Sequence, residues 1–556
     1  MSHRSVVARA PGIFTCLLCA SFFLSAQAEI RKFTEMVEVR DGVKLATDVF
    51  LPEGEGPFPA VLARTPYNKD VSAGFGEGGA RAGVAVVIQD TRGRFASEGA
   101  NLPFHTDGWG SLGDGFDTVE WIKEQDWYNG KLATHGGSAG AITQFLLSGS
   151  GTEEIAFQHL VVGAPSLFHG CVYQGGVFRK ALIEGWLAGT KFDPEALRIW
   201  SDHSWDDDFW KERNTTRRWD KVNWPAVHVG GWFDIFAQPT IDGFRGFNEH
   251  GGPKARGSQW LIMGPWTHGV LQPKAGELSF PGADRVPDDA ADHGKYWARF
   301  LKGTNTGAGS ESRVYYYVMG DVRDETAPGN EWRKSNRWPP FEADARAIYL
   351  NKDRGLSLSR PEANEASLGY DYDPAKPVPT VGGPQLTIPA GPRDQAEVET
   401  REDVLVFTSE ILQQPLEVTG RVGAKLWVSS TGVDTDFFVR LCDVYPDGTS
   451  YNLCEGVLRT RFREGFETEK FVTPGEVYPL EIDLWSTSVI FAPGHRLRVH
   501  VTSSSDPGYA PNPNTGERFQ RSTNQKVVKN TVWMDERHPS HVLLPLAPGQ
   551  DLAWQR

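Results

Sequence analysis

The stretch LATHGGSAGAITQFL, Leu132 to Leu146, decides how the rest of the chain is read. A short apolar strand around Leu132–Thr134 runs into Gly136-Gly137-Ser138-Ala139-Gly140, and an apolar helical segment follows from Ala141 to Leu147. The five-letter pattern G-x-S-x-G says little by itself in a chain with 60 glycines. Its setting says more. A serine on a sharp bend between strand and helix exposes its hydroxyl, and glycines two before and two after let the helix pack back against the strand. Ser138 is therefore the candidate nucleophile, and the surrounding sequence is read for its partners.

Outward from that bend, compact apolar runs alternate with helical periodicity. Strands are expected within Pro57–Tyr67, at Val84–Ile88, and within Phe157–Gly163, Trp224–Gly231, Gln259–Gly264 and Arg313–Met319. Gly42–Pro52 reads as an early hairpin. Helices are expected over Gly115–Gln125 and His293–Leu301. Buried strands alternating with helices imply a mostly parallel sheet covered on both faces. Between Pro165 and Pro225 the character changes to helical periodicity and then to a Trp-, Asp- and Arg-rich run, a helical insertion above the sheet. Beyond Trp338-Pro339-Pro340 the pattern is all-β, with alternating segments between Gly, Pro and Asp turns, as in an antiparallel sandwich of jelly-roll type.

The first residues differ from all of this. Arg4 and Arg9 precede an apolar run from Gly12 to Leu24, and Ala26-Gln27-Ala28 offers a cleavage site, the layout of an export signal. The run is short for a bilayer span, so stable membrane insertion is not expected, and a secreted or periplasmic location after cleavage near Ala28 is. The expected division is a signal peptide over 1–28, an α/β-hydrolase domain over 29–165 and 225–330, a helical cap over 166–224, and a β-sandwich over 331–556.

Composition narrows the function classes. The net charge of −14 becomes about −16 once Arg4 and Arg9 leave with the signal, which disfavours nucleic acid as a partner. No phosphate-binding loop, dinucleotide fingerprint or zinc-spaced Cys/His cluster occurs, so no cofactor and no metal are expected. Asp206-Asp207-Asp208 lacks the spacing of a calcium loop. Oligomeric state is left open. Cys442 and Cys454 flank the turn Pro446-Asp447-Gly448 at nearly equal distances, so a hairpin there makes them either a candidate cross-strand disulfide or two buried thiols.

The chemistry then follows chain order. An α/β-hydrolase carries Ser, Asp or Glu, and His in that sequence, each just past a strand. Asp234 follows the strand ending at Gly230-Gly231, and His268 follows the one ending at Met263-Gly264. A serine hydroxyl needs an imidazole to take its proton, and a carboxylate to orient that imidazole. The oxyanion of the tetrahedral intermediate needs donors. The N–H of Ala139 is one, and the hydroxyl of Tyr67, in "RTPYNKD", is the other expected. In "QDTRGRFASEG", Asp90, Arg92, Arg94 and Glu98 read as a loop-bracing network. His105, His135, His169 and His228 read as ordinary polar or buried histidines.

"RTPYNK", "VIQDTRGRFASEG", "DTVEWI", "GGSAG", "GGWFD" and "GPWTHG" also occur in the order that makes the chain resemble the cocaine-esterase-like acyl esterases of the wider Xaa-Pro dipeptidyl-peptidase family. The resemblance covers nearly the whole mature chain. It implies an α/β-hydrolase domain, a helical cap and a C-terminal jelly roll, with nucleophile Ser138, acid Asp234, base His268, and an oxyanion hole of Tyr67 and the Ala139 N–H. One departure is Ala139 itself, where the family commonly has a tyrosine. The backbone donor survives that change, and the aromatic wall the tyrosine would give the acyl pocket does not. The expected function is an exported serine hydrolase cleaving small-molecule esters, or amides, through an acyl-enzyme. The alternatives are a dipeptidyl-peptidase-like or β-lactam-acylase activity, with Glu184 or Asp206–Asp208 holding a substrate ammonium, and, more remotely, a non-catalytic jelly-roll binding protein.

Overall fold

The computed structural model describes residues 30–309, 313–518 and 522–550. The expected export segment, 1–28, lies outside them. Strands β1 (Arg31–Glu38), β2 (Lys44–Leu51), β3 (Phe58–Thr65), β4 (Ala85–Asp90), β5 (Tyr128–Gly137) and β6 (Ile155–Val161) lie side by side in the order β1-β2-β4-β3-β5-β6. β1 and β2 form an antiparallel hairpin, so "GVKLATDVFLP" supplies its second strand rather than the whole hairpin. From β4 onward the pairing is parallel, and Ala226–Gly231, Gln259–Gly264 and Val314–Val318 continue it. All six residues of β4, and all six of Gln259–Gly264, are buried, because helices cover both faces of a parallel sheet. Helices α1 (Ala73–Arg81), α2 (Asp114–Lys123) and α3 (Ala139–Gly149) belong to that cover. α3 is buried all round, which is why its sequence is apolar on every face.

Past β6 the chain leaves the sheet for the cap, which contains α4 (Lys180–Gly189) and the short helices Glu195–Asp202 and Asp208–Lys211. Phe168, Leu182, Ile183 and Trp200 of the cap share one apolar cluster with Ala139, Ile142 and Leu146 of α3. The cap therefore sits directly on the helix that begins at Ser138. Asn214, in the sequon-like Asn-Thr-Thr, is buried and turns its amide oxygen onto the Thr216 backbone N–H and hydroxyl.

The C-terminal domain is two antiparallel sheets facing each other. One is built on the long pair Leu416–Ser430 and Tyr478–Phe491, the other on Asp436–Val444, Ser450–Arg459 and Arg496–Thr502. Its apolar interior is continuous with the α/β domain, since Leu480, Val489 and Trp485 fall in the same cluster as Trp232, Phe233 and Tyr317. The Met319 N–H donates to Ser488 O at 3.0 Å and Met319 O accepts from the Ile490 N–H at 2.8 Å, which ties the two domains through the backbone as well. Glu331–Ser335 still pairs with Val314–Val318 in the first sheet. The expected boundary at 330/331 thus cuts a hairpin, and the first strand of the sandwich is Asp344–Leu350.

Where three parts of the chain meet lies Arg179, 2% exposed. Its guanidinium donates to Gly170 O in the cap, to Ile235 O in the α/β domain at 2.8 Å, and to Pro384 O of the C-terminal domain at 3.1 Å. The ring of Trp485 lies 5.5 Å below it.

The disulfide reading of Cys442 and Cys454 does not hold: both thiols are free and buried. The hairpin forms as expected, but its register slips by one residue, so that Cys454 faces Leu441 while Cys442 faces Asn452. Alternate residues of a strand point to opposite faces, so the slip sends the two thiols to opposite sides of the sheet. Burial pushes both thiols above their ordinary range of acidity.

Candidate active site

Ser138 sits at the turn from β5 into α3 with φ 56° and ψ −122°, a conformation that costs a non-glycine residue energy and that recurs at functional positions. The glycines around it are not equivalent. A Cβ on Gly136 would lie 2.8 Å from Gly140 O, whereas one on Gly140 would make only ordinary contact, 3.5 Å from Arg64 O. Gly136 is thus the residue that lets the helix fold back onto the strand.

Two neighbouring strand ends carry Asp234 and His268. Gly231 and Gly264 are opposite each other in the parallel pair. The chain beyond them is zipped together: the Trp232 N–H donates to Gly264 O and the Phe233 N–H to Trp266 O, both at 2.9 Å. A Cβ on either glycine would come within 2.3 Å of Trp266. That close approach is the physical content of "GGWFD" and "GPWTHG", because it brings the two loops onto one another.

The result is a hydrogen-bonded line. Asp234, fully buried, accepts from the Phe236 N–H on Oδ1 at 2.7 Å, and its Oδ2 is 2.6 Å from His268 Nδ1. A carboxylate only accepts, so Nδ1 carries the ring proton and Nε2 presents its lone pair. Nε2 is 2.8 Å from Ser138 Oγ, the direction in which the hydroxyl donates. Serine, histidine and aspartate predicted from three separate stretches are therefore in mutual contact. Such a line can take the serine proton and return it to a leaving group.

In front of Ser138 is a narrow pocket walled by Phe104, Ala139, Ile142, Cys171, Leu182, Ile183, Trp186, Trp200, Ile235, Phe236 and Leu386. The aromatic wall lost at Ala139 is supplied instead by Phe104 and by Trp186 and Trp200 of the cap. Leu386 belongs to the C-terminal domain, so that domain reaches the pocket. Cys171 in this wall is no rival nucleophile, because burial pushes its thiol up to about 12. Tyr67 is 39% exposed, and its hydroxyl accepts from Trp186 Nε1 at 3.0 Å, which sets it beside the same pocket. The Ala139 N–H is the first of α3 and has no intrahelical acceptor.

The remaining candidates brace the structure. Arg92 pairs with Asp41 and Asp114, each at 2.7 Å, Asp90 accepts from the Lys69 N–H, and Glu98 from the Lys44 N–H. Arg94 departs from the ion-pair expectation and donates to carbonyl groups. Asp206 is held by His169 and Arg217, Asp207 caps the helix Asp208–Lys211 and meets His203, and Asp208 pairs with Lys211. Glu184 stands near Lys180 and Asp506, where partial burial raises its pKa. None of these carboxylates lines the pocket. His105 lies 5.9 Å from the Phe209 ring, and His228 is buried beside Gln259.

Behind the bend, His135 lies 5.1 Å from the ring of His159 and 4.7 Å from that of His293. Burial depresses all three pKa values, that of His159 to about 3, and His159 Nε2 is bonded to Ala291 O at 3.2 Å. A histidine depressed in the folded chain takes up protons preferentially when unfolded. Its contribution is present above its unfolded pKa of about 6.5 and lost as pH falls toward the folded value. His159→Gln is expected to remove about 2 kcal/mol of the stability lost by the wild type between pH 7 and pH 5, read by urea unfolding at the two pH values.

The fold is that of the α/β-hydrolases, and the relatives of the chain make it an esterase of the serine-hydrolase type. Residues 41–196 and 187–270 match the X-Pro dipeptidyl-peptidase (S15) family, and residues 306–543 match the X-Pro dipeptidyl-peptidase C-terminal non-catalytic domain. The chain is 32% identical to the cocaine esterase of Rhodococcus sp. (strain MB1 Bresler), over 92% of this chain and 97% of that one. Among solved structures, an aminopeptidase from the marine sediment archaeon Thaumarchaeota archaeon superposes with a TM-score of 0.77 at 25% identity, covering 97% of this chain and 99% of the other. An α-amino acid ester hydrolase shares the fold at 24% identity, with a TM-score of 0.74 over 96% and 100% of the two chains. The chain belongs to the family that joins the cocaine-esterase-like acyl esterases to the X-Pro dipeptidyl-peptidases.

Proposed function

We propose that this protein, after export, hydrolyses carboxylic esters of uncharged, apolar acids through an acyl-enzyme on Ser138. The observation that carries the proposal is the Ser138–His268–Asp234 line opening onto an apolar pocket. Ser138 Oγ attacks the ester carbonyl while its proton passes to His268 Nε2, and Asp234 holds the resulting imidazolium. The carbonyl oxygen becomes an oxyanion and accepts from the Ala139 N–H and the Tyr67 hydroxyl. Collapse expels the alcohol, which takes the proton from Nε2. Water, activated by the same nitrogen, then attacks the acyl-enzyme, releases the acid and restores the serine hydroxyl.

The pocket favours esters of neutral acids over aminoacyl substrates. An α-ammonium placed among Phe104, Ile142, Leu182 and Trp186 would lose water without gaining a carboxylate. A pair of phenyl esters tests this. The benzoate is expected to exceed the phenylalanine ester in kcat/KM by about 100-fold, an energy difference within the cost of stranding a charge in apolar surroundings. A preference for the aminoacyl ester would overturn the assignment and favour the peptidase reading.

A further inference from the structure

The hydrogen bond between the cap and the loop after β3 has a direction. An indole N–H can only donate. At 3.0 Å from Tyr67 Oη, Trp186 Nε1 therefore occupies an acceptor site of the phenol. The phenolic proton cannot be directed at the indole and has to serve another acceptor. Trp186 lines the same pocket as Ser138 and Ala139, and the hydroxyl it touches is thereby tied to the wall of that pocket.

Other contacts hold this pair in register. The Trp186 ring is nearly parallel to those of Phe104 (centroids 5.7 Å apart, 5°) and Trp200 (6.4 Å, 10°), which fixes its plane. Arg94, 7% exposed, spans the two segments that carry the pair. Its Nε donates to Pro66 O, next to Tyr67, at 2.9 Å. Its Nη2 and Nη1 donate to Thr190 O at 2.7 Å and Lys191 O at 3.2 Å, just beyond the end of α4, which carries Trp186. The guanidinium lies 4.4 Å over the ring of Phe192.

We propose that Trp186 is a positioning residue of the oxyanion hole, whose N–H orients and polarises the Tyr67 hydroxyl toward the oxyanion formed at Ser138. The proposal rests on Tyr67 being an oxyanion donor. A hydroxyl that accepts one hydrogen bond becomes a better donor of the next, and a donor already aimed needs no reorganisation as charge develops. The cap thus contributes to the chemical step as well as to the shape of the pocket.

The test compares Trp186→Phe, and replacement of Trp186 by its benzothienyl isostere, in which sulfur stands for the N–H. Both are measured in the wild-type and Tyr67→Phe backgrounds, with kcat and KM determined separately on a phenyl ester. In the wild-type background each change is expected to lower kcat about fivefold with little change in KM, the scale of one neutral hydrogen bond. In the Tyr67→Phe background, itself about 100-fold slower, neither should cost anything further. An equal loss in both backgrounds, or a rise in KM with kcat unchanged, would overturn the proposal by making Trp186 a wall and nothing more. Full kcat in Tyr67→Phe would remove the oxyanion role of Tyr67 and this proposal with it. The isostere keeps the shape of the ring, so it reads the N–H alone even if Trp186→Phe disturbs the cap.

Discussion

Ser138→Ala is expected to lower kcat for ester hydrolysis by roughly 10⁵- to 10⁶-fold and to abolish covalent labelling by a fluorophosphonate probe. The loss is large because the methyl group leaves His268 Nε2 with nothing to deprotonate, while the oxyanion donors and the pocket remain. Alanine keeps a Cβ at the same φ of 56°, so the bend is neither relaxed nor further strained. Peptide mapping of the labelled wild type should place the adduct on Ser138. Wild-type protein that is folded, hydrolyses esters and carries its label elsewhere would refute the assignment. The result also separates this chain from a jelly-roll binding protein, whose function would survive the substitution.

Asp234→Asn carries the second-largest expected effect, a fall in kcat of about 10⁴-fold. The substitution is nearly isosteric, and a carbonyl oxygen at the Oδ1 position still accepts from the Phe236 N–H, which directs the new NH₂ at His268. An NH₂ facing Nδ1 donates, so the ring proton moves to Nε2 and points at Ser138 Oγ, where an acceptor is needed. The geometry survives in the wrong tautomer. Thermal stability near that of the wild type, together with slow fluorophosphonate labelling, would separate this outcome from misfolding. Labelling at the wild-type rate would mean that Asp234 does not orient His268.

The residues that line up in the site were legible from sequence because each follows within a few residues a strand that ends in glycine. The close approach of Gly231 and Gly264 to Trp266 explains why those two motifs could be read separately and still meet. The helix limits also followed from periodicity: the expected Gly115–Gln125 and His293–Leu301 are found as Asp114–Lys123 and His293–Phe300. The misreadings have physical causes. The turn at Pro446-Asp447-Gly448 is centred on Asp447, so Cys442 faces Asn452 from the start, and a one-residue slip beyond it sets Cys454 opposite Leu441; no local pattern announces that bulge. The hairpin across 330/331 leaves no clear sequence signal because Glu331–Ser335 is a polar edge strand without a buried run. Leu386 carries no local signal of its place in the pocket, since it arrives there only through the packing of a domain distant in sequence. Arg94 has the composition of an ion-pair network around it, whereas its partners are three main-chain carbonyls and the Asn101 side-chain amide oxygen, which no sequence pattern shows.

Arg179 has a consequence for how the molecule comes together. A guanidinium withdrawn from water is tolerated only when fixed dipoles replace the water, and here they come from positions 170, 235 and 384. With any one of these segments undocked, the cation is left partly unsolvated in an apolar junction, so partly assembled forms are penalised and the complete one is favoured. Ile235, one of the three acceptors, directly follows the acid of the hydrogen-bonded line, and Arg179 itself leads into the helix bearing Trp186. One buried charge therefore acts as a coincidence detector for assembly, making the catalytic, cap and sandwich segments a single cooperative unit.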